Sequence, residues 1–193
     1  MSKNEILKFF PEPVFKYKFE KAEFFNQELA QYIYNLQKED LNGIDAVIHL
    51  AALSNDPLGE FNPLLTEEIN LKGTIKFAKL CKSRGIGRFI YVSSQSMYGI
   101  SSVDNELDEY ESEKNPITSY AKTKWEAEQE LRKMCDQNFC VVSFRPSTVF
   151  GFSPRLRCDI VFNNFVACAY TTKIIEVKSD GTPWRPVIHI KDV

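Results

Sequence analysis

The sequence predicts an α/β fold, a parallel sheet with helices between its strands, and three observations predict it. Apolar runs without polar alternation recur at residues 45–50, 88–92 and 140–144. Segments with helical spacing of apolar residues separate them. Each run ends in small or polar residues: Ala51-Ala52-Leu53-Ser54, Ser93-Ser94 and Pro146-Ser147-Thr148. Unalternating strands separated by helices predict a parallel sheet covered on both faces. Open parallel sheets bind ligands beyond the carboxyl ends of their strands, so the three ends predict one crevice that a flat ligand approaches closely.

The elements follow in order from Gly43. Residues 45–50 make the first strand of this series. Residues 69–82 place Ile75, Ala78 and Leu80/Cys81 on one helical stripe, and Gly85 supplies the stop. Residues 89–92 repeat the strand, and residues 116–134, with Trp125, Ala127, Leu131 and Met134, repeat the helix. Residues 140–144 are a third buried strand. After Gly151 the pattern changes to a loop bearing proline and arginine, a helix over 160–170, and short strands at 174–177 and 187–190. The expected division is therefore 1–150 and 151–193, the second being the start of a small subdomain.

A chain of 193 residues with 44% apolar content can bury a real core. Its net charge of −2, with scattered lysines and arginines, argues against nucleic acid as a partner. No run has membrane-spanning length and residues 1–13 lack a signal-peptide core, so the expectation is a cytoplasmic protein with no membrane contact. The five cysteines, odd in number and without a Cys-x-x-Cys pair, read as reduced core thiols. His49 and His189 stand 140 residues apart, which argues against a histidine-based metal site.

Chemistry concentrates in Ser119-Tyr120-Ala121-Lys122-Thr123-Lys124. A spacing of four puts the Tyr120 phenol and the Lys124 ammonium on one helix face, about 5–6 Å apart at Cβ. A tyrosine that acts as a base at neutral pH needs its pKa lowered by roughly 3 units, about 4 kcal/mol, and a fixed cation is one means. The same spacing occurs at Tyr17/Lys21, Tyr34/Lys38 and Tyr110/Lys114. Only Tyr120 follows a serine-ended strand and opens an amphipathic helix.

Taken together, the motifs resemble the extended short-chain dehydrogenase/reductase family, specifically its NAD-dependent nucleotide-sugar epimerases and dehydratases, such as UDP-glucose 4-epimerase-like enzymes. Val47-Ile48-His49-Leu50-Ala51-Ala52 looks like the strand beside the nicotinamide half of the cofactor. Asn70-Leu71-Lys72-Gly73-Thr74 looks like the next helix with its structural asparagine. Ser93-Ser94-Gln95-Ser96-Met97-Tyr98-Gly99 is similar to the strand end with the catalytic serine, and Tyr120-Ala121-Lys122-Thr123-Lys124 to the catalytic helix. Arg145-Pro146-Ser147-Thr148-Val149-Phe150-Gly151 and Arg185-Pro186-Val187-Ile188-His189-Ile190-Lys191-Asp192 match the downstream signatures. The resemblance implies a Rossmann-like sheet, catalysis by Ser94, Tyr120 and Lys124, and NAD as cofactor, with NADP left open. It implies that Ala51, Ala52, Ser54, Asn70, Ser93, Pro146 and Ser147, with Tyr120 and Lys124, meet the cofactor. Ser94, Thr148, Asn164 and Arg185 would meet a nucleotide-sugar substrate, and a homodimer is allowed. Epimerisation is the leading expectation; a non-catalytic protein unable to hold NAD and a reductase or dehydratase are the alternatives. Dehydratases of the family usually carry Asp-Glu after the serine, where Gln95-Ser96 stand here.

One family feature is absent. The first glycine is Gly43, so the glycine-rich turn that carries the cofactor pyrophosphate on a helix N-terminus is missing. Residues 1–39 resemble only the family's third strand, at 14–19, and the following helix with Leu29, Ile33 and Leu36. The chain therefore reads as an interior piece of a longer enzyme or a reduced descendant, lacking the first β-α-β unit.

Overall fold

Two crossovers between neighbouring parallel strands, a connection that runs right-handed as a rule, set the architecture. The structure, a computed structural model, describes residues 43–54, 56–99, 106–154, 156–177, 179–181 and 186–193. Tyr17, Tyr34, Arg185 and the elements expected at 14–19 and around Leu29, Ile33 and Leu36 lie outside the described residues.

Strand β1 is Ala46–His49. Helix α1, Asp56–Phe61, and the single turn α2, Pro63–Thr66, follow it. Asn62 caps α2 by accepting from the Leu65 amide at 3.0 Å, and Pro63 occupies the first turn, where its missing N–H costs nothing. A π-helical segment, Glu67–Gly73, leads into α3, Thr74–Ser83. Gly85, at φ +76°, ends α3 as expected, and the Ile86 amide returns to the Cys81 carbonyl at 3.1 Å. Next come β2 (Arg88–Val92), a 3-10 turn (Gln95–Tyr98), α4 (Ser119–Lys133) and β3 (Cys140–Phe144).

The sheet is parallel in the order β1-β2-β3, with Ile48 opposite Ile90 and Ile90 opposite Val142. Because both crossovers run the same way, α3 and α4 return to the same face. That face holds the core: Phe89 and Tyr91 of β2, Ala78 and Cys81 of α3, Ala127 and Leu131 of α4, and Phe139 are all buried, with the Phe89 and Phe139 rings 6.1 Å apart. The other face corrects the expectation of a sheet covered on both sides. Ile48 is 63%, Leu50 68%, Val142 43% and Phe144 57% exposed.

A second sheet pairs β4 (Thr148–Phe150) in parallel with β5 (Val187–His189), with α5 (Val161–Thr171) between them in sequence. Phe150 stacks on Phe162 at 5.0 Å and meets the His189 ring edge-on at 5.2 Å. Residues 44–193 form one compact unit. The strand expected at 174–177 does not form. Lys173 turns the chain at φ +63°, Thr172 binds back to Ile174, and Ile174, Ile175 and Val177 stay exposed without a pairing strand. Only Cys81 is a core thiol; Cys135, Cys140 and Cys158 are exposed and Cys168 is half-buried. Cys140 lies on the uncovered face of β3, and Cys158 stands between the charged Arg157 and Asp159.

Candidate active site

The carboxyl ends of β1, β2 and β3 open into one cavity of about 530 Å³, as the strand-end pattern predicts. Leu50, Ala52 and Ser54 enter from β1, Ser93 and Ser94 from β2, and Pro146 and Ser147 from β3. Tyr120 and Lys124 project from α4. Backbone bonds hold the strand ends in step beyond the regular ladder: the Ser93 amide donates to Phe144 at 2.7 Å and the Gln95 amide to Pro146 at 3.2 Å.

Ser94 caps the 3-10 turn. Its Oγ accepts from the Ser96 amide at 3.1 Å and lies 3.1 Å from the Ser96 hydroxyl. Gly99 closes this loop at φ +66°, and a Cβ there would overlap the Asn115 carbonyl oxygen. Glycine at position 99 is thus required by the turn itself.

Two caps fix the start of α4. Thr118 accepts from the Ala121 amide at 3.1 Å, and the Glu60 carboxylate of α1 accepts from the Ser119 amide. Gly59 allows α1 to approach, since a Cβ there would lie 3.2 Å from the Cβ of Tyr120. One turn on, Lys124 is 3% exposed. Its ammonium donates to the Val92 carbonyl at 2.7 Å and lies 4.9 Å from the centre of the Tyr91 ring. Burial lowers its pKa to about 8. His49, behind it, is lowered to about 4 by burial and then by the Lys124 charge; its Nε2 pairs with Thr74 Oγ1 at 2.9 Å.

Of the residues expected at the site, Ala52, Ser54, Ser93, Ser94, Tyr120, Lys124, Pro146, Ser147 and Thr148 line this cavity. Ala51 does not; alternation turns it away from Ala52. Asn70 is fully buried elsewhere and holds the chain leaving β1, accepting from the Leu53 amide at 2.8 Å and donating to its carbonyl at 3.1 Å. Asn164 also lies off the cavity, its amide donating to the Cys158 carbonyl. Asn163, its neighbour, takes the lining position and accepts from the Gly151 amide at 3.0 Å. Sequence reasoning missed Asn163 and the paired Arg157 and Asp159 at this end. No sequence signal separates Asn163 from Asn164, because apolar residues flank both along the whole of α5.

The cavity suits the nicotinamide end of a dinucleotide. Small residues form its floor, and the buried hydroxyl of Ser93 has no protein partner among the described residues. The described residues offer no glycine-rich turn for a pyrophosphate. No group of three metal-ligating side chains occurs among them.

Parallel strands, a serine at one strand end and a Tyr-x-x-x-Lys helix define a short-chain dehydrogenase/reductase type of protein. The chain belongs to the NAD-dependent epimerase/dehydratase family, whose model matches residues 20–193. It is 28% identical over 178 residues to dTDP-D-glucose 4,6-dehydratase of Mus musculus, covering 92% of this chain and 48% of that protein. It is 30% identical over 157 residues to UDP-glucuronate 4-epimerase of Thermodesulfobacterium geofontis (strain OPF15), covering 78% and 46%. Among solved structures, UDP-glucuronic acid 4-epimerase from Bacillus cereus in complex with UDP-glucuronic acid and NAD superposes with a TM-score of 0.65 at 25% identity, over 86% of this chain and 49% of that one. The chain spans about half the length of the relatives it matches.

Proposed function

We propose that this chain carries the catalytic portion of an NAD-dependent enzyme that epimerises a nucleotide sugar. The observation that carries the reading is the meeting of Ser94, Tyr120 and Lys124 in one cavity at the strand ends. NAD, when bound, supplies the acceptor and donor of hydride. Ala52, Ser54, Ser93, Pro146 and Ser147 would face its nicotinamide end.

Tyr120, as phenolate, takes the proton of a sugar hydroxyl. Ser94 donates a hydrogen bond to the same oxygen, which requires its hydroxyl to turn from Ser96 toward the substrate. Lys124 has three N–H groups; one is engaged by Val92, which leaves two for Tyr120 and the cofactor ribose. Its charge favours the phenolate. When the sugar is reduced on its other face, Tyr120 returns the proton, so the chain ends the cycle unchanged. Residues 151–193 would begin the substrate-binding subdomain, with Thr148 and Arg185 meeting the nucleotide sugar. Gln95 and Ser96 carry no carboxylate to withdraw a carbon-bound proton, which favours epimerisation over dehydration.

The test is NMR observation of UDP-glucose and UDP-glucuronate incubated with the chain and NAD. Appearance of the 4-epimer, lost in Tyr120→Phe, supports the reading. NAD is supplied in large excess, to offset the weak binding expected of a chain with no glycine before Gly43. A chain that takes up NAD at that excess yet alters neither sugar would overturn the reading.

A further inference from the structure

Arg145 follows β3 directly but does not line the cavity. Its Nη2 donates to Glu128 Oε1 at 2.6 Å and its Nε to both carboxylate oxygens at 3.2 Å. Its Nη1 donates to the Tyr98 phenol oxygen and to the Glu109 carbonyl, each at 2.7 Å. The guanidinium also lies 5.6 Å from the centres of the Tyr98 and Trp125 rings. The side chains of Arg145 and Glu128 are only 11% and 6% exposed.

A buried ion pair of this kind is weak evidence for stability, because apolar residues of the same volume often stabilise as well. Its geometry is specific, however: a planar fork meets several acceptors at fixed angles, which a lysine cannot reproduce. The partners sit beside the proposed catalytic groups. Glu128 is one helical turn after Lys124, and Tyr98 closes the 3-10 turn capped by Ser94. Arg145 itself precedes Pro146 and Ser147.

We propose that Arg145 is a positioning residue: through Glu128 and Tyr98 one guanidinium locks β3, α4 and the Ser94 turn together and so fixes Ser94 relative to the Tyr120–Lys124 pair. The functional meaning of this lock rests on the reading of the site given above; the lock itself does not.

The experiment follows Lys124 by NMR in the purified chain labelled at the lysine ε-carbons, with the signal assigned by Lys124→Arg. Titratable groups around Lys124 are His49 from β1, Tyr91 from β2, and Tyr120 and Glu128 on its own helix. Two variants weaken the lock: Arg145→Lys, and the milder Tyr98→Phe, which removes one acceptor. Leu131→Ala, a fully buried position on the same helix, controls for simple loss of stability. With the lock broken, Lys124 gains water or the freed Glu128 carboxylate, and either moves its titration upward from about 8 toward the ordinary 10.5. The expected result is an upward shift in Arg145→Lys, a smaller one in Tyr98→Phe, and none in Leu131→Ala. An unmoved Lys124 in both lock variants, or an equal shift in Leu131→Ala, overturns the proposal. If Arg145→Lys does not fold, Tyr98→Phe decides. Neither cofactor nor sugar enters the measurement. A shifted Lys124 in a chain inert toward nucleotide sugars would therefore sink the functional reading and leave the lock standing.

Discussion

Lys124 donates its ammonium to the carbonyl of Val92 at 2.7 Å, so the helix with the proposed base is bonded to the end of the central strand. The charge is anchored from below, in a site that withholds water.

The first prediction concerns proton transfer. Tyr120→Phe should leave folding intact and reduce turnover of a nucleotide sugar by at least about 10²-fold, the usual scale for a lost general base. Tyr110→Phe should be neutral, since Tyr110 is exposed in a turn. Rates and unfolding midpoints of both variants check this; an inactive Tyr110→Phe would reverse the assignment.

Lys124 also makes stability depend on pH. Its folded pKa, about 8, lies below the ordinary 10.5, so between these values the unfolded chain binds more protons. The burial penalty is full below about pH 8 and is relieved as pH rises toward 10.5, by roughly 3 kcal/mol at most. Urea unfolding of the chain and of Lys124→Met at pH 7 and pH 10 should show the parent gaining on the variant at the higher pH. A constant difference would mean that Lys124 is not held as described.

Gly99→Ala should destabilise the chain by about 2–3 kcal/mol, because the backbone is left-handed there and the new Cβ meets the Asn115 carbonyl. Gly85→Ala shares the positive φ but has open space around its Cβ, so it should lose less. Equal losses in urea midpoints would show that conformation alone, not the Asn115 contact, sets the cost.

With no glycine before Gly43, NAD should bind the isolated chain weakly. Each unmade hydrogen bond to a charged phosphate forfeits about 1.5–3 kcal/mol, so two predict a loss on the order of 10²-fold or more in affinity. Titration calorimetry measures it. Tight one-to-one binding would mean that another part of the chain supplies the phosphate contacts.

Sequence pattern revealed most of what positions the site. Apolar runs at 45–50, 89–92 and 140–144 located the parallel strands because residues in such strands need no polar alternation, and Gly85 marked a helix end because φ there is positive. The Tyr120–Lys124 pair was legible from its serine-ended strand rather than from spacing, which Tyr110/Lys114 shares. Less was legible where tertiary partners decide. Asn163 and Asn164 are chemically identical, and only the rotation of α5 turns one inward. The 174–177 run has strand-like residues but no neighbour to pair with. Arg145 read as part of a motif, while its partners Tyr98, Glu109 and Glu128 lie 47, 36 and 17 positions away.

The uncovered side of the sheet runs straight into the cavity, for Leu50 and Val92 belong to both. A flat ring seated on them removes apolar surface from water as it binds. Such binding lowers the heat capacity of the system, so its enthalpy becomes more favourable on warming. Calorimetry at several temperatures therefore reads, from one ligand, both how tightly the cavity holds it and how much of the bare sheet it covers.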